Sequence, residues 1–410
     1  MKRLLTFGFT LTCIVQSPQI IAFENTKLMP KGVRNLGLRT LSTQTSKKTN
    51  ENGEVEPLAE PLWKPLRFRN VISGETGFKK KQLEALLLQQ GWDKEKTLGD
   101  FKAELNANIN VTAPIFAVGA TEKLTLVAAL PVYSASTDIQ AGFTANEGAN
   151  EFIAALRDPL MNQNKSAIEA AQKLQNAIGR LNDKLVDNNY EPLKKWNSTD
   201  IGDLTLMGKY LLYDGGFLRS TGTFGVVAPT GATETPEILT DLSFGDGQWD
   251  VFSQLTLDQK LTQGLTFNQF YKYTYQAPGE REFRLKTDYE SIEVDQENLN
   301  FKLGDKVEAG ASLQFEQDTT GLVAGLGATY FYKYGDRYNT TNYAAQQELQ
   351  KETDRMASYW SARLGYSSIP AFKRKEFAIP LMATIEYRKQ YESRNHPITD
   401  FTQIDVGLFF

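Results

Sequence analysis

The sequence predicts an all-β fold: a transmembrane antiparallel β-barrel of about 12 strands, with short periplasmic turns and long extracellular loops that carry helical insertions. Three observations predict it. The first is the C-terminal segment Phe401–Phe410, where Thr402, Ile404, Val406, Leu408 and Phe410 alternate with Phe401, Gln403, Asp405, Gly407 and Phe409. Strand side chains alternate with period two, so one face suits hydrocarbon and the other water, and the run stops on an interfacial aromatic. The second is that such alternating runs recur along the chain. The third is that the links between them are alternately tight and long, a rule that outer-membrane barrels obey and soluble sandwiches have no reason to follow.

Taken in order, Met1-Lys2-Arg3 and the apolar run Leu4 to Val15 read as a secretory signal over residues 1–22, with cleavage between about residues 17 and 24. Residues 23–98 hold a first strand, Val33 to Thr43, then an N-terminal hairpin or loop and an amphipathic helix. Residues 99–410 form the main barrel, with a helical extracellular insertion over 138–198. Phe101 to Gly119 is a long dyad run, followed after Thr121-Glu122-Lys123 by Leu124 to Val132. Leu204 to Leu212 turns through Asp214-Gly215-Gly216 into Leu218 to Ala228. Trp249 to Asp258 leads through Thr262-Gln263-Gly264 to Leu265 to Tyr275. Val307 to Glu316 is linked to Leu322 to Tyr334, and Trp360 to Tyr366 to Phe377 to Tyr387, with Ile369 to Glu376 as the turn. The long connections are Ser136 to Thr199, Thr230 to Gln248, Ala277 to Lys306 and Gly335 to Arg355. Helical spacing over Lys79 to Gln90 and Gln163 to Val186 places helices in the first two outer loops, where an apolar stripe is best explained by packing.

Composition narrows the function. A mean hydropathy of -0.40 and the lack of a long apolar run after the signal exclude a helical membrane protein. A net charge of -4 without a basic stripe excludes nucleic acid as a partner. Cys13 is the single cysteine, so no disulfide framework is expected once a signal is removed. No Gly-rich phosphate loop or His/Cys cluster is present, and no cofactor or metal is expected. Asp241, Asp250 and Gly245-Asp-Gly247 fit turn chemistry better than a calcium loop. The one histidine, His396, lies in the short outer loop before the last strand, near Arg394, Glu392 and Asp400. It reads as a solvated loop residue, with a rim hydrolase using His396 and Asp400 as a minor alternative.

On alternation, the lumen should carry Lys102, Glu104, Lys209, Arg219, Asp258, Lys260, Lys272, Glu308, Glu316, Lys333, Arg363, Glu386, Arg388 and Asp405. Tyr271, Tyr273, Tyr275, Tyr330, Tyr332, Tyr334, Tyr387 and Tyr391 fall outward near the loop-side strand ends, as an aromatic girdle would. A barrel of this size leaves a narrow pore or cavity, which suits small molecules.

Asp200-Ile-Gly-Asp-Leu-Thr-Leu-Met-Gly-Lys-Tyr210, Gly225-Val-Val-Ala-Pro-Thr-Gly231 and Gly245-Asp-Gly-Gln-Trp-Asp-Val251 resemble the outer-membrane channel family named for the meta-pathway of phenol degradation. Ala113-Pro-Ile-Phe-Ala-Val-Gly119 through Leu130-Pro-Val132 is similar to that family's early hairpin, and the resemblance covers Phe101 to Gln276. It implies an outer-membrane channel of a Gram-negative bacterium, not an enzyme, passing small, hydrophobic or aromatic compounds. It also implies that Phe410 resembles the signal read by the barrel assembly machinery. The family offers no functional residues to carry over, and the insertion from Ser136 to Thr199 departs from its simpler members. The other class of function left open is a non-transporting surface barrel: an adhesin, a receptor or a structural protein. Expected partners are outer-membrane lipid, the assembly machinery and a small molecule the sequence does not name.

Overall fold

A computed structural model describes residues 24–60, 63–73, 77–155, 168–169, 172, 176–285 and 295–410. The signal reading and much of the Gln163 to Val186 helix lie outside the described residues.

The barrel strands are β1 (Arg34–Thr45), β5 (Thr97–Thr121), β6 (Leu124–Ala129), β9 (Leu204–Asp214), β10 (Leu218–Ala228), β11 (Asp250–Thr262), β12 (Leu265–Gln276), β15 (Lys306–Glu316), β16 (Leu322–Lys333), β18 (Arg355–Ser367), β19 (Leu381–Arg394) and β20 (Asp400–Phe409). Each pairs antiparallel with its neighbour in this order. β20 pairs with β1 (Asn35↔Phe409) and β1 with β5 (Arg34↔Val118), so the 12-stranded wall closes on itself without an edge. The outward residues of β20 and β1, including Leu36, Leu38, Ile404, Val406 and Leu408, are exposed to the surroundings, as a lipid-facing belt requires.

One end of the barrel carries tight links and the other long ones. There are two exceptions: the outer link from β19 to β20 spans only Asn395–Thr399, and the link from β18 to β19, read as a turn over Ile369 to Glu376 with a strand from Phe377, is long. It contains a short helix, α6 (Ile369–Lys373), and β19 begins only at Leu381, after Pro380. The loop base is closed by Ser368, whose Oγ donates to the Ile379 carbonyl (2.6 Å) and accepts from Leu381 N (2.8 Å).

Two strands run past the barrel as broken continuations. β6 stops at Leu130-Pro131, because proline has no N–H to give the ladder, and resumes as β7 (Val132–Ala145). β8 (Trp196–Ile201) continues into β9 across Gly202, whose N donates to the Pro131 carbonyl at 2.7 Å. A side chain at Gly202 would meet the Tyr133 ring at 2.3 Å, so the break needs glycine. β5 does not break. Its 25 residues pair with β1 and β6 at the tight-turn end and with β7 and β4 (Lys64–Arg67) at the other.

After β1, β2 (Lys47–Thr49) and β3 (Val55–Pro57) pair as a small two-stranded sheet, and the outer shell has two further apolar clusters. Phe68, Ile72, Leu83, Leu86, Leu87, Leu98 and Phe152 join α1 (Phe68–Ser73), α2 (Gly77–Gln90) and α3 (Glu147–Ala155) to the top of β5. The helix read over Lys79 to Gln90 is α2. Near the second loop, α4 (Ala177–Asp187) forms the described end of the second predicted helix. Above β12 and β15, β13 (Gly279–Leu285), β14 (Asp295–Lys302) and β17 (Arg337–Asn339) make a separate small sheet. It packs on α5 (Tyr343–Gln350) through Phe283, Leu299, Phe301, Tyr338 and Leu349.

Candidate functional site: the barrel lumen

Alternation determines which residues can face inward, but the nature of the interior decides which face does. On β5 the apolar set, Ala103, Leu105, Ala107, Ile109 and Val111, is buried inside against Leu41, Leu58, Tyr133, Leu242 and Phe244. Lys102 and Glu104, expected in the lumen, are instead exposed on the outer face, where Lys102 Nζ lies 5.6 Å from the Trp63 ring centroid. The physical reason is that the loop 229–249 folds inward and covers the apolar face of β5 with Leu242 and Phe244, which leaves the polar face to point outward. Phe244 stacks on Tyr133 at 5.3 Å and 8° inside the barrel.

That loop is tied down by carboxylates. Asp203 accepts from Gly231 N (2.9 Å), and Gln276 Nε2 donates to Asp246 (3.0 Å) and to Asp250 (3.2 Å). Lys306 Nζ reaches Asp250 at 3.4 Å. Burial, with Asp250 and Asp203 nearby, pushes the Asp246 carboxyl well above the usual carboxylate range, while Lys306 opposes the shift. Asp241 accepts from Thr235 N at 2.6 Å, in keeping with turn chemistry. Among the described residues no group of His, Cys, Asp and Glu is arranged to hold a metal ion.

Most of the other predicted charges lie inside, and they divide between two walls. From β15 to β1 the interior is filled by polar contacts. Arg39 pairs with Asp405, Arg388 Nε donates to Glu386 (2.6 Å), and Arg363 Nη2 donates to Thr384 Oγ1 (3.2 Å). Glu308 faces Lys272 at 3.7 Å, and Lys333 is buried against Asp336. Lys260 is exposed at the rim near the β11–β12 turn. Along β6 and β9 to β12 the wall is looser. There a cavity of about 1280 Å³ opens, lined among others by Val127, Met207, Val227, Phe252, Lys209 and Arg219.

Residues 24–33 run inside the barrel beside this cavity. The Thr26 N and Oγ1 donate to Asp258 (2.8 and 2.6 Å), Gln314 Nε2 donates to the Glu24 carbonyl (2.9 Å), and Met29 N donates to Thr125 Oγ1 (2.9 Å). Lys209 Nζ donates to the Asn25 carbonyl, and Lys27 pairs with Glu316. Gly32 N donates to the Gly119 carbonyl (2.8 Å) and Gly119 N to the Val33 carbonyl (2.9 Å). Leu28, Met29 and Pro30 line the cavity, which continues to Phe372, Pro380, Phe409 and Phe410 at the tight-turn end. The inner segment therefore narrows the lumen without filling it. No periodicity announces it, because its contacts are made one by one to partners far away in sequence.

His396 makes no dyad with Asp400, whose carboxylate accepts from Tyr387 Oη (3.0 Å) and Gln390 N (3.2 Å). It is also less solvated than the sequence implies. Its Nδ1 lies 2.7 Å from the Pro397 carbonyl and its ring packs edge-on to Phe331 at 6.0 Å. Burial, reinforced by Arg355, pushes its pKa down to about 4 against the Pro397 contact. Of the eight predicted girdle tyrosines, Tyr271, Tyr273, Tyr275, Tyr330, Tyr334, Tyr387 and Tyr391 are exposed, while Tyr332 is half-buried with its ring 5.0 Å from that of Tyr334.

A closed antiparallel barrel with an apolar outer belt, an aromatic girdle and charged residues in its lumen belongs to the class of outer-membrane β-barrels. Its backbone is similar to that of an outer-membrane channel from Pseudomonas putida F1, with 9% identity and a TM-score of 0.54 over 95% of this chain and 100% of the other. It also aligns with the CymD monoaromatic hydrocarbon channel (13% identity, TM-score 0.32, 93% and 88% covered). A TodX monoaromatic hydrocarbon channel variant aligns too (10% identity, TM-score 0.36, 93% and 90% covered). Of these three, the first bears on the fold. No family model and no curated protein matches the chain. The link to phenol degradation thus stands on the short sequence resemblance alone.

Proposed function

We propose that this protein is an outer-membrane channel through which small, largely apolar molecules pass down their gradient. The observation that carries this reading is the cavity of about 1280 Å³, which runs from beneath Phe244 to the mouth at Phe409 and Phe410. Much of its lining is aliphatic or aromatic, as in sites that take apolar ligands. The fold shared with a known channel agrees with this reading. On this view the segment 24–33 and the loop 229–249 restrict free diffusion, so ion conductance should be low while apolar solutes still cross. The test is flux of toluene, octanol and a sugar of similar size into proteoliposomes with a lipopolysaccharide outer leaflet, which slows apolar solutes as phospholipid does not. Faster flux of the apolar probes than in protein-free vesicles, with the sugar excluded, is expected. No flux of any probe would overturn the channel reading and leave the outer clusters, on a surface barrel, as the working part.

A further inference from the structure

The cavity contains cations that make no hydrogen bond to a carboxylate, and these bear on what the passage carries. The inference rests on the channel reading and adds a substrate class to it. Lys27 pairs with Glu316 and Lys306 reaches Asp250, so these lumenal cations have a carboxylate within hydrogen-bond distance. Lys209 and Arg219 differ: Glu24 and Asp258 lie near Lys209, but among the described residues no carboxylate is within hydrogen-bond distance of either cation. Lys209 sits on β9, with Thr125 and Thr223 as its cross-strand neighbours, and its hydrogen bond goes to the backbone carbonyl of Asn25. Arg219 reaches Asp214 only at 3.8 Å, and its buried Nε has no hydrogen-bond partner among the described residues. Its cross-strand neighbour Asp258 is already engaged by Thr26 and by Asn268 Nδ2 (2.7 Å).

The two cations lie on one wall, Lys209 at mid-lumen and Arg219 one residue into β10, just above the Asp214 turn. Between and around them the cavity is lined by Val127, Met207, Leu28 and Met29. The Asn25 carbonyl on Lys209 is a neutral oxygen seated where a charged one would bind more strongly, because hydrogen bonds from a cation to an anion exceed those to a neutral acceptor. The inner segment itself is polar at Glu24 to Lys27 and apolar at Leu28 to Pro30, and this is the profile of the molecule that would replace it.

We infer that Lys209 and Arg219 form an anion-binding step in the lumen, and that the preferred substrates are amphipathic molecules with an apolar body and one carboxylate. The inner segment holds the Lys209 position until such a headgroup displaces it. Arg219 then receives the headgroup near the exit.

The experiment measures binding of laurate, 1-dodecanol and dodecylammonium to the full chain in nanodiscs by titration calorimetry, for the wild type and for the double variant Lys209→Gln, Arg219→Gln. Heat-modifiable gel mobility confirms folding of each barrel. The wild type is expected to bind laurate about tenfold tighter than dodecanol, from one or two charge-assisted hydrogen bonds. In the double variant this ratio should fall to near one, and Lys209→Arg should retain it. Equal binding of laurate and dodecanol by the wild type, or a ratio that survives in the double variant, overturns the subsite and leaves the channel reading intact. A preference for dodecylammonium overturns it by making Asp258 and Glu316 the dominant groups. Binding of none of the three overturns the subsite and the channel reading together.

Discussion

Replacing Gly119 should unseat the inner segment. A Cβ built on Gly119 would stand 2.0 Å from the Pro30 carbonyl oxygen and 2.6 Å from that of Met29. Both are backbone atoms, so no rotamer change relieves the overlap, and valine adds two methyl groups to it. The segment from Met29 to Gly32 must move, and with it go the bonds from Gly32 N to the Gly119 carbonyl and from Gly119 N to the Val33 carbonyl. At about 1 kcal/mol net each, losing both costs about 2 kcal/mol, which shifts the ratio of seated to displaced segments roughly 30-fold. Single-channel recording in planar bilayers reads this directly: Gly119→Val should show open events that are rare in the wild type, with the conductance of a chain lacking residues 24–31. If the deletion conducts and Gly119→Val, shown to be folded, does not, the seat lies elsewhere. If neither differs from the wild type, the ion path does not run past the segment, and the reasoning fails.

Further outcomes follow from other contacts. Arg374 ties the α6 loop to the β15–β16 turn, its Nη1 donating to the Asp318 carbonyl at 2.8 Å. Arg374→Ala should free the periplasmic mouth and speed flux of apolar probes about twofold to tenfold, as the loss of one charged hydrogen bond allows; unchanged flux would show that the loop gates nothing. Phe244→Ala should remove the stack on Tyr133 and cost about 3–5 kcal/mol of local stability; faster proteolysis within residues 229–249 is the readout. Because the folded pKa of His396 lies below the ordinary 6.5, the unfolded chain takes up the proton first. The outer loop is therefore at full stability above pH 6.5, loses stability as pH falls toward about 4 and changes no further below that. Hydrogen exchange at Thr49 and Asn395 should show this loss, and His396→Phe should abolish the pH dependence; a variant that keeps it would place the titration on another group. Finally, Lys102→Cys in a Cys13→Ser background should react with a membrane-impermeant maleimide on intact cells, and protection there would return Lys102 to the lumen.

Strand number, closure and orientation were legible because each rests on local alternation and turn chemistry. Phe401 to Phe410 shows its lipid face in five residues, and the tyrosines mark the loop-side interface. What alternation cannot supply is which face of a strand is inside once the interior is itself apolar. Lys102 and Glu104 went to the wrong side for that reason: the loop holding Leu242 and Phe244 is too irregular to announce that it will fill the space beside Ala107 and Val111. The short helix α6 was hidden in the same way, since Ile369-Pro370-Ala371-Phe372 reads equally well as a turn. The inner segment was illegible in a stricter sense, because Thr26 and Asp258 are 232 positions apart and neither carries a motif.

β5 has a mechanical consequence. With 25 residues at about 3.3 Å each, its ends stand roughly 80 Å apart along the strand. Gly119 touches the inner segment at one end, and Leu98 is sealed in the outer helical cluster at the other. A single inserted residue anywhere between them would flip the faces of everything beyond it. The surface shell and the seat of the inner segment are thus cut from one ruler, and neither can drift in evolution by an odd number of residues without the other. A clamp applied outside the cell, such as an antibody on the outer cluster, acts on the same stiff bar that ends beside the periplasm.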